Sequence, residues 1–103
     1  MQVSEVLERT LQTLEDEGWC KGAYSNEDGR CVVSGLWAVI GEEHEWQHGG
    51  QSLMMACLKA LRETTGIPNI ALWNDAKGRT FSDVQITFRR AIAATSAREQ
   101  VAA

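Results

Sequence analysis

The segment Leu72–Val84, LWNDAKGRTFSDV, constrains the fold more than any other, because within thirteen residues it must stop one element, turn the chain and start a helix. Trp73 brings a large apolar body with a single N–H, so it asks for burial at an edge where that donor finds a partner. Asn74 and Asp75 have side chains that bond nearby backbone and favour turns, and Gly78 accepts the left-handed backbone angles a tight reversal needs. Thr80 and Asp83 stand at capping-box spacing in front of the apolar pattern that begins at Phe81. We therefore read Trp73, Asn74, Asp75, Gly78 and Thr80 as anchor, turn and cap. None of these features names a reaction.

The rest of the chain is read from its periodicity. Val3, Leu7, Leu11 and Leu14, with Val6 beside them, form one stripe of an amphipathic helix that Gly18 caps near Glu17. Lys21 to Gly29 reads as loop. Residues 31–41 admit two readings: Val32 and Val33 favour a strand, whereas Val33, Leu36, Trp37 and Ile40 mark one face of a short buried helix, which we prefer. Glu42 to Gly50 follows as a polar loop or an extra helical turn. Gln51 to Thr65 is a helix with Leu53, Cys57 and Leu61 inward, ended by Gly66 and Pro68. Since Pro68 disfavours helical angles at Ile67, Ile70 to Trp73 is expected to be a short buried connector, extended at its start. The last helix runs from Phe81, with Val84, Phe88, Ala91 and Ile92 inward. The expected fold is all-α or mostly α: one compact helical domain of about four helices over residues 1–95, one short extended segment near residues 69–73, and a frayed tail at residues 96–103.

Charge and composition exclude several classes. With 44% hydrophobic and 23% charged residues the 103-residue chain has the balance of a soluble globular domain, and no apolar run approaches the ~20 residues of a membrane helix. The N-terminus lacks the form of a secretory signal, and three cysteines cannot all pair within the chain, so a reducing cytoplasmic site is expected. The net charge of −4 opposes non-specific attachment to nucleic acid. It is unevenly spread: residues 1–76 carry five Lys or Arg against twelve Asp or Glu, while residues 77–103 are net +3. That basic third, with Arg79, Arg89 and Arg90, would face either an acidic partner or the acidic front half of the chain itself; we favour the second.

Candidate chemistry is sparse. Cys31, His44 and His48 match the spacing of the second half of a zinc finger, but Cys20 is too far from Cys31 for the first half, and Cys31 lies in an apolar run. Cys20 beside Lys21 suggests a nucleophile of lowered pKa with His44 or His48 as base, yet no oxyanion-stabilising group can be named. Buried thiols and surface histidines are the expected outcome, with no metal, no cofactor and no catalytic residue assigned. Of the four tryptophans, Trp37 is expected in the core, and Trp19 and Trp73 at its edge. Trp46 differs: it is surrounded by Glu42, Glu43, His44, Glu45, Gln47 and His48, so no apolar stripe explains its burial, and it becomes the candidate binding anchor together with Arg79, Arg89 and Arg90.

Gly18-Trp19-Cys20, the apolar Cys31 segment and above all Trp73-Asn74-Asp75-x-x-Gly78-Arg79-Thr80 resemble a family of small uncharacterised proteins from actinobacteria and their phages. The resemblance spans nearly the whole chain. It implies a compact, mainly helical domain of the cytoplasm, the host's if the protein is phage-encoded, and it brings no activity, cofactor or catalytic residue. The leading expectation is a non-enzymatic module that binds another protein, a host factor in the phage case, with a homodimer also allowed. A small Cys/His-dependent enzyme or zinc protein, and a nucleic-acid-binding module using the basic third, are the alternatives.

Overall fold

The computed structural model describes residues 1–102 and shows a single helical globule with a Cα radius of gyration of 12.9 Å, about that of any compact chain of this length. Its elements are α1 (Val3–Glu17), β1 (Ser25–Asn26), β2 (Gly29–Arg30), α2 (Val32–Gly41), α3 (Gln51–Thr65), α4 (Ile70–Asp75) and α5 (Phe81–Ala102). Helix α1 is the organising element. It packs along α2 and α5 and touches α3, so its stripe Val6, Leu7, Leu11 and Leu14 meets Leu36, Ile40, Leu61, Val84 and Phe88 in one core. Phe88 is the largest side chain wholly removed from water, and truncating such a residue to alanine ordinarily costs about 3–5 kcal/mol.

The expected helical class and the bounds of α1, α3 and the start of α5 hold, because each has both a periodic apolar face and a local stop or start signal. Gly18 and Gly66 both bond back into the preceding helix, to the Leu14 and Arg62 carbonyls. Residues 32–41 form a helix capped by Cys31, but its inward face is Val32, Leu36, Val39 and Ile40, one residue out of step with the expected set. Trp37 is consequently only half-buried rather than part of the core.

Three expectations need correction or extension. Residues 70–73 are not extended: Asn69, itself extended, caps α4 by accepting the Leu72 N–H at 3.1 Å, so the helix starts two residues after Pro68, whose restriction falls on Ile67 alone. The Lys21–Gly29 loop contains a hairpin, with Ser25 opposite Arg30 and Asn26 opposite Gly29. Helix α5 passes the expected boundary at residue 95 and continues to Ala102, where Arg98 bonds Glu63 at 2.9 Å and Glu99 accepts both the backbone N–H and the hydroxyl of Ser4. Glycine is required where the hairpin meets the end of α1. A Cβ on Gly18 would lie 2.1 Å from the Asp28 carbonyl oxygen and one on Gly29 would lie 2.1 Å from Gly18, so the two backbones are in direct contact. Among the described residues no helix is long and apolar enough to cross a membrane.

Candidate functional site

The end of α4 places Asn74 where three parts of the chain converge. Its side chain is fully buried, and all of its hydrogen-bonding capacity is used. Oδ1 accepts from the Trp19 indole N–H at 2.7 Å and from the Val32 backbone N–H at 3.0 Å, while Nδ2 donates to the Cys20 carbonyl at 3.1 Å and to Asp75 Oδ1 at 2.9 Å. Only one orientation of the amide satisfies this set, since the reverse would face N–H groups with N–H groups. Val32 is the first residue of α2, whose N–H has no partner within its own helix, so Asn74 caps a helix remote from it in sequence.

The neighbouring residues hold that arrangement in place. Asp75 accepts the Gly22 N–H at 2.9 Å, and this bond, followed by the Asn74 amide, holds its carboxyl below the usual carboxylate range. The Arg79 guanidinium lies 4.3 Å from the centre of the Trp73 ring, and its Nε donates to the Trp73 carbonyl at 2.8 Å. Gly78 has φ +81°, as the turn requires. Thr80 and Asp83 form the reciprocal capping box, each bonding the other's backbone N–H at 3.2 and 3.0 Å. Trp19 stacks on Phe81 with centroids 6.0 Å apart. The segment is a joint between the α1–β1 loop, α2 and α5, and its tryptophan and arginine are engaged with each other.

The other candidate binding residues lie apart from this joint. Trp46 opens an irregular turn, Trp46–Gly50, in which His48 and Gly49 leave helical backbone angles. It is 47% exposed, and its ring sits 4.5 Å from that of Trp37 at a tilt of 42°. Glu42, Glu43 and Glu45 around it are exposed, with Arg9 bonding the first two. Arg89 and Arg90 are both exposed on α5, and Arg89 faces Glu15 at 3.9 Å. Together with the Arg98–Glu63 pair, this turns part of the basic third toward the chain's own acidic front half.

Cys20, Cys31 and Cys57 are free and buried. Burial pushes the Cys57 thiol up to about 12. Cys20 is also raised, by burial first and then by Cys31, Asp28 and Asp75, which speaks against the alternative of a thiol activated by Lys21 and agrees with the buried thiols expected. That lysine's ammonium instead donates to the Arg79 carbonyl at 3.4 Å. His48 is exposed and pairs with Glu45 at 3.0 Å, whereas His44, expected at the surface, is half-buried with Nε2 enclosed and without a partner among the described residues. Among the described residues no three His, Cys, Asp or Glu side chains gather as a metal site. Cys31 instead lines a surface depression of about 310 Å³ between the hairpin and α4.

Asn74 as a cap for α2 was beyond sequence reasoning; an asparagine beside a tryptophan was the signal, but three of its four partners lie 42 to 55 residues away. No curated protein and no solved structure matches the chain. A family model does match, over residues 1–94, and it takes in the α1 end, the hairpin and the whole Asn74 joint: the chain belongs to the family of unknown function DUF6197.

Proposed function

We propose that the protein is a non-enzymatic binding module that engages another protein through Trp46. One observation carries this reading: Trp46 rests on Trp37 at 4.5 Å yet keeps 47% of its surface in water, so the pair holds an indole outward instead of burying it. The surrounding carboxylates select the partner's chemistry. Glu45 is 81% exposed with His48 against it, and Glu42 and Glu43 already accept an arginine, Arg9. A segment carrying Lys or Arg beside an apolar side chain fits both features, its cation over the indole or on Glu45 and its apolar group on the ring edge.

The reading extends to a small product of actinobacteria or their phages, acting in the cytoplasm on a host protein; the Trp73-Asn74-Asp75-x-x-Gly78-Arg79-Thr80 resemblance supports that extension. The test is selection from a random peptide library displayed on yeast, followed by titration of the enriched peptides. Enrichment of basic peptides with an apolar neighbour, with binding lost in Trp46→Ala and weakened by salt, is the expected result. No enrichment, or peptides that bind Trp46→Ala as well as the unaltered protein, would overturn it.

A further inference from the structure

We propose that Cys20 and Cys31 form a reversible redox pair, in which hydrogen peroxide or a like small peroxide oxidises Cys31 from the surface depression and Cys20 resolves it to a disulfide. The backbone supplies the juxtaposition. Trp19 and Arg30 are joined by a parallel bridge, with the Arg30 N–H donating to the Gly18 carbonyl at 3.0 Å and the Cys20 N–H to the Arg30 carbonyl at 3.1 Å. Cys20 and Cys31 are the next residue on each side of that bridge, and paired residues of parallel segments project toward the same face. The Asn74 carboxamide then clasps the two segments just beyond, holding the Cys20 carbonyl at 3.1 Å and the Val32 N–H at 3.0 Å.

The two thiols differ in access and setting, which orders the steps. Cys31, itself only 7% exposed, lines the depression beside Tyr24 and Val33, and its sulfur accepts the Ser34 N–H at 3.4 Å from the N-terminal cap of α2. Cys20 lies inside, 4% exposed, with its thiol donating toward the Ala23 carbonyl at 3.5 Å and held protonated by burial. Cys57, with no water contact in the core, takes no part. In the first step the Cys31 sulfur, having released its proton, attacks one peroxide oxygen. The O–O bond breaks and the departing hydroxide leaves as water, giving a sulfenic acid. In the second, the Cys20 sulfur attacks the Cys31 sulfur, the S–O bond breaks, and hydroxide leaves with the Cys20 proton as water. Two thiols and one hydrogen peroxide become one disulfide and two waters, each sulfur oxidised by one electron and the peroxide reduced by two; with an organic peroxide an alcohol replaces the first water.

The test treats the folded protein with hydrogen peroxide, blocks remaining thiols, and follows intact mass and cysteine-containing peptides by mass spectrometry. The expected result is loss of two hydrogens before blocking, restored by dithiothreitol, and after blocking a Cys20–Cys31 linkage with Cys57 unlinked. With dimedone present, Cys20→Ser accumulates the sulfenic adduct at Cys31, and Cys31→Ser gives neither disulfide nor adduct at Cys20. Retention of all three thiols under peroxide, linkage through Cys57 or between chains, or labelling of Cys20 in Cys31→Ser would overturn the proposal. The mass measurement on the unaltered protein stands even where a variant fails to fold.

Discussion

The Asn74 joint and the Trp46 turn both carry polar and aromatic residues, and they are held by opposite means. At the joint every polar group of Asn74 has a partner, the tryptophan is only 7% exposed, and its arginine is stacked upon it. At the turn, Trp46 has one ring neighbour, the backbone is irregular, and the surrounding carboxylates face water. Low-dielectric surroundings make a satisfied network strong and an incomplete one costly, so the joint tolerates little change. The turn has no such network to lose. The most distinctive stretch of sequence is thus spent on architecture, and the exposed tryptophan sits in the less specified region.

The contrast is sharpest at Asn74. Asn74→Ala leaves the Trp19 indole N–H, the Val32 N–H and the Cys20 carbonyl without their partner, and the expected loss is about 3 kcal/mol in urea unfolding, roughly 15 °C in the melting midpoint. A loss below about 0.5 kcal/mol would remove the joint's structural role. Next comes the cap: Thr80→Ala is expected to cost about 1 kcal/mol, read by the same unfolding curve, because α5 loses the hydroxyl that accepts the Asp83 N–H. Trp46→Ala is expected to cost no more than about 1 kcal/mol, the lost contact with Trp37, while abolishing binding of basic peptides. Equal destabilisation by Trp46→Ala and Asn74→Ala would erase the difference between the two regions.

The smallest effect concerns pH. The Asp75 carboxyl is lowered in the folded chain by the Gly22 N–H and then by Asn74, so the charged form is favoured by folding. That contribution is present above the ordinary aspartate range of about pH 4 and is lost as pH falls through the folded value. Asp75→Asn is therefore expected to flatten the acid limb of stability against pH, slightly, since the group is largely solvated. An unchanged limb would show that the Gly22 contact is not formed in solution.

What could be seen in the sequence divides along the same line. Helices α1, α3 and α5 were legible because Leu7, Cys57 and Phe88 belong to apolar stripes and because Gly18, Gly66 and Thr80 mark their limits locally. Helix α4 was not, since six residues carry too little periodicity and Pro68 suggested extension while Asn69 was silently supplying a cap. Trp37 was misplaced because the apolar run 31–40 fits two helical faces almost equally, and tertiary packing chose the one with Val32 and Val39. At the site, the turn and cap of Gly78, Thr80 and Asp83 follow from neighbours in sequence. The four bonds of Asn74 do not, and neither does the engagement of Arg79 with Trp73, because only the folded chain brings those groups together.

Native-state hydrogen exchange resolved by NMR tests the central contrast most directly. The Val32 amide and the Trp19 indole N–H, both held by Asn74, are predicted to exchange only through global unfolding, whereas the amides of Gln47 and Gly49 exchange orders of magnitude faster through local opening. Val32 and Trp19 exchanging as fast as the Trp46–Gly50 turn would contradict the account.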